Sequence, residues 1–324
     1  MWHILYLSSK LPDETQFSFI YNFKKGQNTF CFSEHPLISS KDELIASDAK
    51  TSFPFFKKTN LPAKVLEKIN PDDTVITLDW ESFQKVQQEK RLKINHQHIA
   101  TDLPEQRILK NLIKRPPELF VVSKFLQENL SAAGLAASLS TVTYPPLLQS
   151  ENIDRNNEHK SFIVGAVNKL EKNQGLETLI QSFHQNQEFL PQLRIIIVGD
   201  GSEKRQLLWL IDQLHLRKSI QIVSQQKDYY RFINNFDVFV APQIEPQIWN
   251  HSIAEALNLG VPVIASSSGS HPEVIEHGKT GLIFEPGNSS VLGQHLINLY
   301  NHQEWMGHYQ KSGPTWIRQN LKLC

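Results

Sequence analysis

Two cysteines in 324 residues, Cys31 and Cys324, stand near opposite ends of the chain. That spacing encodes neither a disulfide framework nor a cysteine metal site, and it suits a reducing cytoplasm. Neither sign of charge is in excess. The 33 Lys and Arg residues balance 33 Asp and Glu, which removes the electrostatic case for nucleic acid as a partner. No apolar run approaches the roughly 18 residues that a membrane-spanning helix needs. Lys10, Asp13 and Glu14 interrupt the amino end, so no signal peptide is expected. Glycine is scarce in the first half: only Gly26 and Gly134 precede residue 150, against twelve glycines after it. The close backbone approach of a Gly-rich loop is therefore not available to that half.

What is present is length and a repeating rhythm. A chain of 324 residues exceeds what one hydrophobic core serves, so two domains are expected. The polar, non-periodic stretch 151–160 (ENIDRNNEHK) reads as the linker, dividing the chain into 1–155 and 156–324. In the first part, 2–7, 74–78, 93–100 and 119–122 read as strands. Helices are expected over 80–88, over 104–115 and from Ser123, which serves as a cap. In the second part, strands are expected at 161–167, 193–198 and 219–223. Helices are expected at 176–187, 229–235, 287–300 and 311–323.

The most informative stretch is 237–284. It runs from a buried strand (237–240) through a helix (252–259, stopped by Gly260) to a second strand (262–265). Gly278 and Gly281 then lead to a third strand, 282–284. Strand–helix alternation predicts a parallel sheet with helices on its faces. Ligands in such sheets bind outside the carboxyl ends of the strands. The loop after Val240, with Glu245, Gln247, Trp249, Asn250, His251 and then Glu255, is the first place to look for a site.

Ala256, Gly260, Pro262, Val263, Ile264 and Ala265, then Pro272-Glu273-Val274-Ile275 and Gly278-x-x-Gly281, form a spaced set. This set resembles the sugar-nucleotide-binding half of retaining GT-B glycosyltransferases, especially family 4. The resemblance covers about residues 161–301 well and the first half poorly. It implies an α/β fold of two Rossmann-like parallel-sheet domains facing a cleft, with a shortened and diverged N-terminal domain. It further implies a closing helix at 311–323. The activity implied is transfer of a sugar from a nucleotide-diphosphate donor to a glycan, lipid-linked or other hydroxyl acceptor, with retention and without a metal or other cofactor.

The resemblance also implies roles. Lys172 would neutralise the donor diphosphate. Asn168 stands where an arginine is usual, and Gly201 lies in a Gly-Asp-Gly turn that can receive phosphate. Asn250, His251 and Ser252 would face the diphosphate at a helix amino terminus. Glu255 would hold the ribose hydroxyls, although Ser252 and Glu255 also have the spacing of a capping box. The first acidic position, beside the reacting sugar, falls on Glu245 or on Gln247. His96 and His98 share one face of a strand; either they line the donor sugar, or they are solvent-facing. No third ligand at useful spacing makes them a metal site.

The basic helix 104–115 carries an apolar stripe of Ile108, Leu109, Leu112 and Ile113. It reads as a core-facing helix, or as a peripheral contact with the inner membrane face if the acceptor is lipid-linked. The departures at Asn168 and at the first acidic position, with the missing Gly-rich loop, leave a second functional reading open. That reading is a catalytically silent binding or scaffolding subunit of a glycan-assembly complex.

Overall fold

The computed structural model describes residues 4–8, 44–46, 74–77, 80, 83–84, 95–100, 102–114, 117–145, 147, 161–224 and 229–321. The chain forms two compact units, Met1–Gln149 with Lys322–Cys324, and Ser150–Leu321. The linker expected at 151–160 lies outside the described residues.

The first unit holds a six-stranded, all-parallel sheet in the order β2-β1-β3-β4-β5-β6. Its strands are β1 (Ile4–Ser8), β2 (Leu44–Ala46), β3 (Thr74–Thr77), β4 (Asn95–Ala100), β5 (Glu118–Val121) and β6 (Ser140–Val142). Helix α1 (Gln106–Lys114) buries Ile108 and Leu112 and leaves Arg107, Lys110 and Lys114 in solvent. Of the stripe, Ile108 and Leu112 are buried, Leu109 is half-buried and Ile113 is exposed. Helix α2 (Lys124–Ala132) starts as expected, with the Leu126 N–H donating to Ser123 Oγ at 3.1 Å. Of the helix expected at 80–88, Trp80, Phe83 and Gln84 are helical, and the rest lies outside the described residues.

The second unit is a parallel sheet in the order β12-β11-β10-β7-β8-β9. Its strands are β7 (Phe162–Val167), β8 (Leu193–Val198), β9 (Ile220–Val223), β10 (Val238–Ala241), β11 (Val263–Ser266) and β12 (Leu282–Phe284). Counted within the unit, that is the doubly wound order 3-2-1-4-5-6 read from the far edge. The chain reverses direction across the sheet between β7 and β10. The central strands are β-branched and apolar because both faces are covered. All of VFVA in β10 and VIAS in β11 is buried, and Val238 pairs with Val164 at the switch point.

One face packs on α3 (Leu176–Asn186), α4 (Lys204–Gln213) and α8 (Ser289–Asn301), through Leu179, Phe183, Leu207, Ile211, Leu292 and Leu296. The remaining helices are α5 (Tyr229–Asn234), α6 (His251–Asn258), the short α7 (His271–Val274) and α9 (Gln303–Asn320). Helix α6 packs against α5, α7 and α9.

Most elements lie within one or two residues of expectation, and two helix starts differ for a structural reason. Helix α9 begins at Gln303 rather than near 311, because Met306 and Tyr309 continue its apolar face into the core. Pro314 sits inside it without ending it. Helix α6 begins at His251, capped by Asn250, so Ser252 lies within the helix and the Ser252–Glu255 capping box does not form.

Two glycine substitutions test the packing. A Cβ at Gly165 would stand 2.0 Å from the Phe236 ring, so Gly165→Ala should cost about 1–3 kcal/mol in urea unfolding. Gly307 lies inside α9 with nothing within 4 Å of its Cβ position. Gly307→Ala should therefore stabilise by roughly 0.5–1 kcal/mol. Equal and opposite shifts from these values would contradict the packing described.

Candidate functional site

The carboxyl ends of β7, β10 and β11 meet in a clasp of three loops. Gly175, at φ 70°, ends the β7 loop, and a Cβ there would stand 1.8 Å from the Pro242 carbonyl oxygen. Only glycine allows that approach. Across the contact, the N–H groups of Ile244 and Glu245 both donate to the Asn173 carbonyl, at 2.9 and 3.2 Å. Asn173 Nδ2 donates to Glu245 Oε1 at 2.7 Å. Gln243 Nε2 donates to Asn168 Oδ1 at 2.6 Å. From β11, Ser266 Oγ donates to the Gln243 carbonyl at 2.6 Å. The Ser270 N–H donates to the Gln247 carbonyl at 2.8 Å, and a Cβ at Gly269 would stand 2.1 Å from that same oxygen.

The amino end of α6 opens onto this clasp. Asn250 Oδ1 accepts from the Ile253 N–H at 3.2 Å, which turns Asn250 Nδ2 toward His271 Nε2, 3.4 Å away. His271 Nδ1 lies 3.0 Å from the Ser266 carbonyl, which can only accept. The proton therefore sits on Nδ1, and Nε2 accepts from Asn250. Burial lowers the pKa of His271 to about 4, against an opposing hydrogen bond to Ser266, and the neutral ring is the form this chain of bonds requires. Burial also lowers His251 to about 4. His251 Nε2 stands 3.8 Å from Glu255 Oε1, one turn on, so at neutral pH the contact is dipolar rather than an ion pair.

Three enclosed polar atoms in these loops have no hydrogen-bond partner: Gln243 Oε1, His251 Nδ1 and Ser270 Oγ. Buried polar groups left unpaired are costly, so each of these atoms is a place where a water or a ligand group would be favourable. Lys172 is exposed beside Asn173, with no side-chain partner among the described residues. It stands three residues before Gly175, the N-cap of α3.

The structure thus brings Asn168, Lys172, Glu245, Asn250, His251, Ser252 and Glu255 into one region of the second unit. Gly201 plays a packing part as well. A Cβ there would stand 2.3 Å from the Leu170 carbonyl, and the Leu170 N–H donates to the Asp200 carbonyl at 3.0 Å. His98 is not solvent-facing, and it presents no surface for lining a sugar. It is fully buried in the first unit between Trp80 and Phe83, with ring centroids at 4.1 and 5.1 Å, because its strand position faces that aromatic nest. The side chain of His96 lies outside the described residues. Among the described residues, no group of three or more His, Cys, Asp or Glu side chains could hold a metal ion. Sequence reasoning missed Gln243 and His271. The only signals were their places, at the end of a buried strand and just before Pro272-Glu273.

A cavity of about 590 Å³ lies elsewhere, at the amino ends of β7–β9, lined by Arg194, Arg217 and Lys218 among others. Arg217 is paired with Asp212, and Arg194 donates to the Leu193 carbonyl.

The family model for glycosyl transferases group 1 matches residues 149–316, more than half of the chain. The chain belongs to this family. An uncharacterized glycosyltransferase from Methanocaldococcus jannaschii is 26% identical over 242 residues, covering 68% of this chain and 53% of the relative. A capsular polysaccharide biosynthesis glycosyltransferase from Staphylococcus aureus is 29% identical over 153 residues, covering 46% and 40%. This glycosyl transferases group 1 chain therefore spans about half, or less, of those relatives' length. Among solved structures, Anabaena Alr3699/HepE in complex with UDP aligns at TM-score 0.82 and 19% identity, over 99% of this chain and 96% of that one. Sucrose-phosphate synthase from Thermosynechococcus elongatus aligns at 0.73 and 15%, over 99% and 95%. At these identities the likeness shows the fold, which is the GT-B α/β fold with parallel sheets.

A pH dependence follows from the two buried rings. Their folded pKa values near 4 lie below the unfolded value of 6.5, so the native state binds fewer protons. Stability is full above pH 6.5 and falls as the pH drops toward 4, by at most about 3 kcal/mol per ring. The urea midpoint should drop between pH 7 and pH 5, and it should drop less in His271→Ala. An unchanged pH difference in that variant would remove His271 from the account.

Proposed function

We propose that this chain is a retaining, family 4 glycosyltransferase that moves a sugar from a nucleotide-diphosphate donor to a hydroxyl acceptor. The observation that carries the reading is the cluster at the switch point. A partnerless Lys172, the amino end of α6, Glu255 on that helix and three unpaired buried polar atoms occur together where doubly wound sheets bind nucleotides. Uridine diphosphate sugars are the first donors to test, because the similar Alr3699/HepE was solved with UDP and with UDP-glucose.

In this reading Lys172 neutralises diphosphate by a charge-assisted bond, about twice as strong as a neutral one. Asn168 keeps its Nδ2 protons for a phosphate oxygen, since its Oδ1 is taken by Gln243. The first N–H groups of α6, at His251 and Ser252, supply the positive end of the helix dipole. Glu255 accepts the two ribose hydroxyls. Glu245 steadies the positive charge that develops at the anomeric carbon as the leaving diphosphate departs. Asn173 holds one carboxylate oxygen of Glu245, which fixes its direction. Counter-charge comes from Lys172 and the helix rather than from a metal. The acceptor is a glycan or a lipid-linked hydroxyl, as the polysaccharide-assembling relative suggests. With it goes a place on the cytoplasmic side of the membrane, where exposed Ile113 and the basic residues of α1 give a peripheral contact.

The second reading, a silent scaffold, draws on the Asn168–Gln243 pair, which leaves no guanidinium at the diphosphate position.

Thermal unfolding against UDP, GDP, ADP, CMP and their sugars separates the two. A ligand at about 100 times its dissociation constant adds about 2.7 kcal/mol, a rise of several degrees. Stabilisation of the wild type by one nucleotide, absent in Lys172→Ala, is the expected result. No shift with any of them favours the scaffold. For the reacting sugar, Glu245→Gln should lower kcat by about 100-fold or more with donor KM little changed. Retained turnover in Glu245→Gln, with loss in Gln247→Ala, would move the role to Gln247.

A further inference from the structure

We propose that His271 is a positioning residue for the donor site, acting through Asn250 on the amino end of α6. This rests on the donor reading above and extends it to a residue that does not itself touch the donor. His271 is 1% exposed and bridges two elements. Its Nδ1–H is anchored on the Ser266 carbonyl at the carboxyl end of β11. Its Nε2 receives Asn250 Nδ2, which presents Asn250 Oδ1 to the Ile253 N–H.

Asn250 has two ways to orient its amide, and only one caps the helix. The other would aim Nδ2 at an N–H donor, which cannot accept it. His271 selects the capping orientation, because its free nitrogen is an acceptor. Ser266 in turn is tied to the carbonyl of Gln243, in the loop that leaves β10. One imidazole therefore locks the helix start to the ends of two central strands. The N–H groups of His251 and Ser252, and Glu255 one turn later, are aimed by that lock. A cap residue without such a brace samples other rotamers, and the helix amides lose direction with it.

The test uses the full-length chain, with UDP as probe and GDP and ADP beside it. In His271→Ala, UDP affinity should fall about tenfold, and the Ile253 amide in the ligand-free protein should exchange about tenfold faster or more. His271→Gln keeps an acceptor near the Nε2 position and should restore UDP binding to within about threefold. His271→Asn keeps only the Ser266 side of the bridge and should bind as weakly as Ala. Because the two residues act in series, Asn250→Ala with His271→Ala should lose no more than Asn250→Ala alone. In turnover, donor KM should rise while kcat holds.

Wild-type exchange at Ile253 in His271→Ala overturns the proposal, as do additive losses in the double variant, or Asn rescuing where Gln does not. Wild type that binds none of the nucleotides overturns the donor reading instead, while the exchange of Ile253 still decides whether His271 sets the helix start.

Discussion

The contact on which the site depends is the one between Gly175 and Pro242. A parallel doubly wound sheet brings the ends of β7 and β10 side by side but does not fix the loops that leave them. Here a residue without a side chain lets the β7 loop lie directly on the β10 loop. Every polar contact of the clasp follows from that closeness: Asn173 to Glu245, Asn168 to Gln243, and the two N–H groups on the Asn173 carbonyl. A methyl group at position 175 would push the loops apart and loosen all of them together.

A second constraint comes from the interior. The β10 and β11 segments are wholly buried, so the polar side chains at their carboxyl ends must find partners at once. Ser266 Oγ donates to the Gln243 carbonyl and Gln243 Nε2 donates to Asn168 Oδ1, which leaves Gln243 Oε1 as the one unpaired atom of the pair. His271 completes the pattern from the side of α7. Enclosed, neutral and fixed in one tautomer, it transmits the position of the strand end to the helix start. The preorganisation lies in backbone carbonyls and amides of rigid elements, which is where a binding site gains most from its fold.

The sequence was legible where local patterns and tertiary needs agree. Apolar runs of β-branched residues gave the central strands within one residue of where they lie. Ser123 gave the start of α2, and Gly260 gave the stop of α6. It misled in two places. Ser252 and Glu255 have the spacing of a capping box, yet Asn250 caps α6, because His271 holds its amide in the capping direction. The resemblance placed the closing helix at 311–323, yet Met306 and Tyr309 extend it backward to Gln303 by finding the core.

By itself, the sequence determined the class of fold, the family-like spacing from Ala256 to Gly281 and the region of the second unit in which a site would form. These rest on periodicity and on glycine and proline chemistry, which act over a few residues. Tertiary structure alone decided which side chains face one another. That His98 is sealed between Trp80 and Phe83, that Asn168 is met by Gln243, and that His271 reaches back twenty-one residues to Asn250 are pairings across elements. No local pattern encodes such contacts, because they depend on how strands separated in sequence are ordered in the sheet.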